Sequence, residues 1–243
     1  MGYVLIVGAK SDIAKATARE YAKHGYDLYL AARNAGELEG FAKDITTRTQ
    51  RTVKLLELDI LDYESHQTFY ERVKDKLAGV ICAVGYLGGQ GNAQTDFHET
   101  KLIMDTNYTG VVSLLNVIAN DFEKAQSGFI VAISSVAGDR GRKANYHYGS
   151  AKAALTAYLS GLRNRLHYAQ VHVLTVKAGF VDTRMTEGMD LPEKFTAQPE
   201  EVAMDIYKAQ QSKKNVIYTK GIWRWIMLVI RMIPEWKFKG MSI

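Results

Sequence analysis

Short apolar runs alternate along this chain with longer stretches in which apolar positions recur at helical spacing. The runs show little alternation with polar residues, which is typical of strands that are covered on both faces. They predict strands at residues 3–8, 27–32, 53–58, 79–84, 128–134, 171–177 and, more weakly, 215–219. The longer stretches predict helices at residues 12–24, 34–48, 62–77, 98–124 and 147–168.

This alternation predicts an α/β protein with a single-domain Rossmann fold. We expect a doubly wound, mostly parallel, seven-stranded sheet with helices on both faces. The domain is expected to span residues 1–243, with residues 220–243 forming a basic, aromatic C-terminal extension. In such sheets ligands bind at the carboxyl ends of the strands, near the point where the strand order reverses.

Tyr148 and Lys152 stand four residues apart at the start of the last predicted helix. Positions i and i+4 share one face of a helix, and a nearby ammonium group lowers the pKa of a tyrosine. A tyrosine tuned in this way can exchange a proton with an alkoxide near neutral pH. The isolated pair is also typical of an ordinary exposed helix face, so its sequence context decides between the two interpretations.

Three further features accompany this pair. Ser135 follows the apolar run 129–133 and lies 13 residues before Tyr148, Asn107 lies in an upstream helical stretch, and Gly8 joins the first strand to a helix. Together, over about residues 3–185, these features resemble the short-chain dehydrogenase/reductase family. The resemblance implies an NAD(P)-dependent oxidoreductase that interconverts a carbonyl and a secondary alcohol by hydride transfer.

The resemblance also implies a role for each of these side chains. Ser135 would orient the substrate carbonyl and Tyr148 would supply the proton. Lys152 would lower the pKa of Tyr148 and hold the nicotinamide ribose, and Asn107 would hold a water that relays protons to Lys152. The implied cofactor site comprises Gly8, Lys10, Ser11, Asp12, Ile13, Arg33, Asp59, Ile60, Gly85, Tyr148, Lys152, Gly179, Val181 and Thr183.

The glycine loop departs from the family pattern, because Asp12 and Ala14 stand where glycine is usual. Asp12 could cap the following helix or, turned inward, could repel a phosphate group. Lys10 and Ser11 supply a positive charge and a hydroxyl group that would offset such repulsion. The departure therefore bears on how tightly a cofactor binds more than on which cofactor binds.

Arg33 bears on the identity of the cofactor. The second strand ends without the acidic residue that holds the ribose hydroxyls of NAD(H), and Arg33 is suited to a 2′-phosphate. We therefore favour NADP(H), with NAD(H) possible; the alternative is that Arg33 is a solvated loop charge. By the resemblance, Asp59 would contact the adenine with Ile60 beside it.

Cys82 is the single cysteine, which excludes an internal disulfide and fits a reducing cytoplasm. We interpret it as a buried core thiol and not as a nucleophile, because no base is implied beside it. The six histidines show no ligand spacing, so no metal site is expected. The first apolar run leads directly into the glycine loop, so a signal peptide is not expected and the cytoplasm is the expected location.

The C-terminal segment carries the basic charge of the chain. From Ser212 to Ile243 there are seven Lys and Arg residues and one Glu, a net charge of +6, against +5 for the whole chain. Three tryptophans accompany these charges, as in helices that lie at a membrane surface. We expect residues 221–239 either to contact a membrane peripherally or to pack over the substrate pocket or a subunit interface, and we expect no nucleic-acid partner.

The substrate is less constrained by the sequence. The tail and the segments 133–142 and 177–185 resemble a bacterial subgroup similar to the reductase of decaprenylphosphoryl 2-keto-pentose, which implies a lipid-linked keto-sugar. Residues 184–192 would form the mobile lid of the family. The alternatives are a soluble reductase of small ketones or acyl substrates, and a non-catalytic dinucleotide-binding sensor. The resemblance further implies a homodimer or homotetramer assembled through the helices at 98–124 and 147–168.

Overall fold

Seven parallel strands form the central sheet of residues 2–241, the part of the chain that this computed structural model describes. Met1, Ser242 and Ile243, at the ends of the expected 1–243 domain, lie outside the described residues. The strands are β1 (Tyr3–Val7), β2 (Asp27–Ala32), β3 (Val53–Glu57), β4 (Leu77–Cys82), β5 (Phe129–Ser135), β6 (His172–Ala178), β7 (Phe180–Val181), β8 (Thr196–Ala197) and β9 (Val216–Tyr218). Strands β7 and β8 form a separate parallel pair.

The order of the large sheet is β3-β2-β1-β4-β5-β6-β9, which confirms the predicted Rossmann fold. The chain fills the sheet outward from β1 in one direction and then from β4 in the other. The two halves therefore part between β1 and β4, where a crevice opens at the carboxyl ends of the strands.

Ten α-helices surround the sheet in residues 2–241. They are α1 (Asp12–Lys23), α2 (Glu39–Thr49), α3 (Ser65–Glu71), α4 (Gln90–Thr95), α5 (Phe97–Met104), α6 (Gly110–Ala125), α7 (Tyr146–Leu166), α8 (Pro199–Gln211), α9 (Ile222–Met232) and α10 (Glu235–Phe238). The helix predicted at 34–48 begins with a 3₁₀ turn. The helix predicted at 62–77 is shorter than expected, because its α-helical part ends at Glu71. Helices α4, α8 and α10 were not predicted.

Alternate side chains of each strand enter two separate hydrophobic cores. In β1, Leu5 and Val7 pack in the core that includes α6 and α7, whereas Val4 and Ile6 pack in the core of α1 and α8. A strand of this kind has no solvent face, so apolar residues occupy successive positions. This arrangement explains why the strands were recognisable as uninterrupted apolar runs.

The helix predicted at residues 98–124 is present as one continuous helical stretch, Phe97–Ala125, but it is not α-helical throughout. A π-helical turn, Asp105–Thr109, separates α5 from α6 and places Asn107 in the interior. Immediately after the turn, Gly110 lies so close to the carbonyl of Ile60 that a side chain would not fit. The extra residue of a π turn shifts the side chains that follow, and such turns are frequent at functional sites.

The stretch Phe97–Ala125 is also long and apolar enough to cross a membrane by composition alone. Its α6 part lies against the sheet, where Leu114, Leu115 and Ile118 are completely buried. Packing in the core of a two-faced sheet accounts for this apolar composition.

Candidate active site

A cavity of about 1040 Å³ opens at the carboxyl ends of β1, β4, β5 and β6. Many of the residues predicted from sequence line it, although they come from distant parts of the chain. They are Ser11, Asp12, Ile13, Gly85, Ser135, Tyr148, Lys152, Gly179, Val181 and Thr183. The predicted residues outside its lining are Gly8, Lys10, Arg33, Asp59, Ile60 and Asn107.

Close backbone contacts dock helix α7 on the turn that follows β5. A Cβ atom on Gly138 would lie 2.7 Å from the main chain of Lys152, and one on Gly149 would lie 2.8 Å from the carbonyl oxygen of Ala137. The hydroxyl of Ser134 donates to the carbonyl of Lys152 at 2.9 Å. Glycine at these two positions therefore brings the tyrosine of α7 and the serine that ends β5 to one cavity.

Ser135 is held at the end of β5 by two backbone contacts. Its Oγ accepts the N–H of Ala137 at 3.1 Å and donates to the carbonyl of Ala178 at 3.3 Å. Burial raises the pKa of Tyr148 to about 12, and a hydrogen bond with Ser135 opposes that increase. The phenol is therefore a proton donor in this structure and not a phenolate.

Burial is the main influence on the pKa of Tyr148 in this structure, and the lowering by Lys152 that the resemblance implies stays a prediction. The Nζ of Lys152 lies 5.6 Å from the ring centre of Tyr148 and donates to the carbonyls of Ile133 at 3.0 Å and Val84 at 3.3 Å. Burial lowers the pKa of Lys152 itself to about 8. Loss of water is the largest cause of the pKa change in each of these two groups.

Asn107 is completely buried beside the loop that follows β4. Its Oδ1 accepts the N–H of Tyr86 at 3.2 Å, and its Nδ2 donates to the carbonyls of Tyr86 at 2.6 Å and Ile103 at 2.9 Å. A Cβ atom on Gly85 would lie 3.6 Å from Oδ1 of Asn107 and 3.8 Å from Nζ of Lys152. The asparagine thus fixes the loop beside the lysine.

The N-cap of α1 is Ser11 and not Asp12, so the capping role suggested for Asp12 is wrong. The hydroxyl of Ser11 accepts the N–H of Ala14 at 3.2 Å. The Asp12 carboxylate instead accepts the N–H of Arg184 at 2.9 Å and lies 3.5 Å from its Nε. This pairing compensates the negative charge that the sequence places near a phosphate site.

The first turn of α1 is suited to a pyrophosphate. Within residues 2–241, the N–H groups of Asp12 and Ile13 have no protein acceptor, and both residues line the cavity. Gly8 has a φ of +78°, and a Cβ there would meet the carbonyl oxygen of Ala83 at 2.9 Å, so glycine is required for this turn. The residues present therefore fit a nicotinamide dinucleotide.

Arg33 is exposed just beyond β2, and its guanidinium has no partner among the described residues. Lys10 lies next to it, donating to the Arg33 carbonyl at 3.3 Å and pairing with Glu37 at 2.7 Å. Asp59 accepts the N–H of Leu61 at 3.0 Å, and Ile60 is buried. Arg33 thus lies on the exposed surface beyond β2, outside the cavity lining.

The wall beyond β6 is completed by α9. Trp223 is buried against Gly179, where no side chain would fit, and donates from Nε1 to the carbonyl of Phe195 at 2.9 Å. Its ring meets that of Phe180 edge-on at 5.0 Å. Thr183 begins the short turn Arg184–Thr186 and forms a capping box with its last residue. One face of the C-terminal helix thus packs over the pocket.

The sequence did not indicate three residues that line the cavity, namely Tyr86, Arg142 and Asn145. It placed Arg184 in the expected lid and Trp223 in the C-terminal segment, but it did not give their contacts. Their partners are distant in sequence. For Arg184, which bonds to Asp12 and to the carbonyl of Lys10, the separation exceeds 170 residues. The one sequence feature that could have indicated this contact is the positive charge of Arg184 within the segment expected to form a lid.

Cys82 is buried beneath the site, as expected. Burial raises the pKa of its thiol to about 11, so the sulfur is a thiol and not a nucleophilic thiolate near neutral pH. Among residues 2–241, no three His, Cys, Asp or Glu side chains lie together as metal ligands.

Comparison with known proteins identifies the family. A family model for short chain dehydrogenases matches residues 2–194. An uncharacterized oxidoreductase of Mycobacterium tuberculosis is 36% identical over 241 residues, covering 98% of this chain and 96% of that protein. One of Streptomyces coelicolor is 30% identical over 243 residues, covering 99% and 96%.

Solved structures share the fold. A short-chain dehydrogenase from Sphingobium yanoikuyae in complex with NADPH superimposes with a TM-score of 0.84 at 24% identity, with 97% of each chain covered. A bulky-bulky ketone specific alcohol dehydrogenase from Comamonas testosteroni gives a TM-score of 0.80 at 21% identity, with 97% and 96% covered. On the family match and the mycobacterial relative, this chain belongs to the short-chain dehydrogenases and is an NAD(P)-dependent oxidoreductase.

Proposed function

We propose that the protein reduces a carbonyl compound to a secondary alcohol with NADPH, and catalyses the reverse oxidation. The observation that carries this proposal is the convergence of Ser135, Tyr148 and Lys152 on the cavity that the first turn of α1 also reaches. A proton donor, a hydroxyl and an ammonium group meet beside a pyrophosphate site. This combination favours an enzyme over a non-catalytic dinucleotide sensor, the alternative from another class.

Each side chain has one task in the proposed reaction. A bound nicotinamide supplies the hydride that adds to the carbonyl carbon. The Ser135 hydroxyl donates to the carbonyl oxygen and orients it, and Tyr148 gives its phenolic proton to that oxygen as negative charge develops there. Because the pKa of Tyr148 lies near 12, the phenol holds its proton until the alkoxide forms.

Lys152 and Asn107 restore that proton. The ammonium of Lys152 would hold the nicotinamide ribose, and its pKa near 8 allows it to lose and regain a proton near neutral pH. Asn107 lies beside it and, in this proposal, holds a water that connects Lys152 to solvent. The buried lysine is then a relay as well as a positive charge.

NADPH is the proposed cofactor because two cations lie at the open end of the site. Arg33 is exposed, its guanidinium has no partner among residues 2–241, and Lys10 lies beside it. Glu57 uses both carboxylate oxygens to accept the N–H groups of Asn34 and Ala35. The carboxylate that could have held ribose hydroxyls is thus bound to the main chain, whereas a 2′-phosphate would meet positive charge.

A lipid-linked keto-sugar is the second candidate for the substrate, and the outer face of α9 favours it. Trp225, Leu228, Val229 and Met232 recur at helical spacing and are exposed, Trp225 by 62% and Met232 by 73%. Arg224 and Arg231 flank them. An apolar face bordered by basic residues is suited to an anionic membrane surface, where a polyprenyl-phosphate substrate would reside.

We also propose that residues 1–243 form one catalytic domain with 220–243 as its extension, located in the cytoplasm or peripherally at the membrane. A homodimer or homotetramer would assemble through α6 and α7. A soluble reductase of small ketones or acyl substrates is the alternative in which α9 serves packing alone.

Tyr148→Phe is expected to reduce kcat/KM for NADPH-dependent reduction of a ketone panel by about 10²- to 10⁴-fold, because the proton donor is lost. NADPH binding, followed by tryptophan fluorescence, should stay nearly unchanged. Tyr146→Phe is the matched control, because Tyr146 is a partly exposed tyrosine at the start of the same helix. Full activity of the Tyr148 variant would contradict the assignment.

Arg33→Ala is expected to weaken NADPH binding by about 10- to 100-fold and leave NADH binding unchanged, because one charge-assisted contact to the 2′-phosphate is removed. Fluorescence titration measures both constants. Arg72→Ala removes an exposed arginine just after α3, at the opposite end of the sheet strands, and should change neither. Equal effects on both nucleotides would argue against a 2′-phosphate at Arg33.

Lys152→Met is expected to change the pH dependence of stability in the cofactor-free protein. The folded-state pKa of Lys152 lies near 8, below its ordinary 10.5, so the unfolded wild-type chain binds the extra proton between these values and wild-type stability rises with pH. The stability of the variant relative to wild type should therefore fall by roughly 3 kcal/mol across that range. Denaturant unfolding at several pH values measures this, and parallel curves would disprove it.

The outer face of α9 is tested by co-sedimentation with phosphatidylglycerol and with phosphatidylcholine vesicles. Wild type is expected to sediment with the anionic vesicles, and Trp225→Ser/Val229→Ser/Met232→Ser is expected to stay in solution because its apolar anchor is lost. Phe97→Ser/Tyr168→Ser removes comparably exposed aromatic surface elsewhere and should bind like wild type. If wild type binds neither kind of vesicle, the result would favour the alternative of a soluble reductase of small ketones or acyl substrates.

A further inference from the structure

The loop from Asp139 to Asn145 joins the turn after Ser135 to the helix that begins before Tyr148. It therefore borders the part of the cavity beside the reacting carbonyl, away from the first turn of α1. Arg142, Ala144 and Asn145 line the cavity from this loop. These side chains reach the cavity from the segment between Ser135 and Tyr148, the side on which the proposed substrate carbonyl would lie.

The first charged residue of this loop is fully engaged by the sheet. The Asp139 carboxylate pairs with Lys177 and accepts the hydroxyl of Tyr218 at 2.8 Å. Both partners come from strands, β6 and β9. The start of the loop is therefore fixed to the sheet.

The second charged residue, Arg140, is engaged by the C-terminal segment. Its guanidinium donates to the carbonyls of Ile230 and Ile233, each at 2.6 Å, and pairs with Glu235 at 2.8 Å. It also lies 3.7 Å from the ring centre of Phe238. These contacts use the free carbonyl groups at the end of α9 and leave the loop little freedom to move.

Arg142 differs from both neighbours. Within residues 2–241 its side chain has no hydrogen-bond or ion-pair partner, and its Nε is buried without an acceptor. Burial lowers the pKa of the Arg142 guanidinium, against the opposing influence of Asp139. A buried donor without an acceptor is costly, and an unpaired guanidinium is more so, which makes this arrangement exceptional unless a ligand completes it.

A second unpaired atom lies three residues later. The buried Oδ1 of Asn145 has no donor in the described part of the chain, although Asn145 also lines the cavity. The loop therefore presents one unused donor group with a positive charge and one unused acceptor. A ligand that satisfies both must carry an anionic oxygen and an O–H or N–H group.

The other charged residues of the cavity lining do not pair with Arg142 or Asn145. Asp12, an acidic residue of the lining, is paired with Arg184 at the α1 end. Lys152 donates to the carbonyls of Val84 and Ile133. Among residues 2–241, Arg142 is therefore a positive charge of the cavity lining without an ion-pair partner, on a loop that Asp139 and Arg140 tie to the sheet and to the C-terminal segment.

We propose that Arg142 and Asn145 form a substrate subsite that binds an anionic oxygen group and an adjacent hydroxyl. The substrate class is then a hydroxylated carbonyl compound that bears a phosphate or a carboxylate. The guanidinium can hold either anion with two parallel hydrogen bonds, and the Asn145 oxygen accepts the hydroxyl. This inference rests on the proposed carbonyl reduction, and it adds the residues that select the substrate.

Matched ketone pairs test the subsite: para-acetylbenzoate against its methyl ester, and dihydroxyacetone phosphate against dihydroxyacetone. We expect wild type to favour the anionic member of each pair in kcat/KM, and Arg142→Gln to lower that preference by about 10- to 100-fold while sparing the neutral members. Lys143→Gln removes an exposed charge from the next residue and should retain the preference. Asn145→Leu should lower kcat/KM for dihydroxyacetone phosphate but not for para-acetylbenzoate, which has no hydroxyl.

Inhibition distinguishes the two sources of a phosphate group. Farnesyl phosphate inhibiting wild type more strongly than inorganic phosphate, with both effects reduced in Arg142→Gln, would assign the subsite to a lipid-linked phosphate. Equal inhibition by the two, again reduced in the variant, would assign it to a small phosphorylated or carboxylated substrate.

Two outcomes would overturn the subsite. They are equal turnover of anionic and neutral ketones by wild type, and an equal loss for both in Arg142→Gln; in either case carbonyl reduction itself stands. Failure of wild type to reduce any ketone would instead reject the proposed function. Thermal shift with para-acetylbenzoate then decides the subsite separately: stabilisation lost in Arg142→Gln supports it, and no stabilisation rejects it.

Discussion

The ammonium group of Lys152 makes the contact on which this site depends. It donates to carbonyl oxygens at Val84 and Ile133, at the ends of two neighbouring strands, and so fixes the start of α7 over the carboxyl edge of the sheet. Tyr148, one helical turn earlier, has little freedom to lie elsewhere. The same burial lowers the pKa of the lysine to about 8, so the arrangement reduces stability in exchange for a positioned cation.

Segments that follow β6 in sequence complete the wall of the cavity beside the loop from Asp139 to Asn145. Trp223 packs on Gly179, and Arg140 holds the carbonyl groups at the end of α9. The C-terminal helix therefore has a buried inner face against the pocket and an apolar outer face toward solvent. Both sequence interpretations of this segment, packing and surface contact, correspond to a face of one helix, and the outer contact remains a proposal.

Charge compensation explains how the site tolerates its departures from the family pattern. Asp12 replaces a usual glycine, yet its carboxylate is directed to Arg184, and Ser11 takes the cap. Ala14, at another usual glycine, is completely buried, as a position of helix packing requires. Arg142 is the exception, because its charge has no ion-pair partner among residues 2–241. For that reason it is the residue proposed to bind an anionic group of the substrate.

The sequence determined the fold, because strands covered on both faces appear as uninterrupted apolar runs. It also determined the candidate catalytic residues, because Ser135, Tyr148 and Lys152 lie at fixed spacing around one strand and one helix. Their local geometry follows from the helix period. The tertiary structure alone decided the π turn at Asn107, the partner of Asp12 and the isolation of Arg142. These depend on contacts between residues far apart in the chain, and on burial that outweighs pairwise charge effects, neither of which a local pattern records.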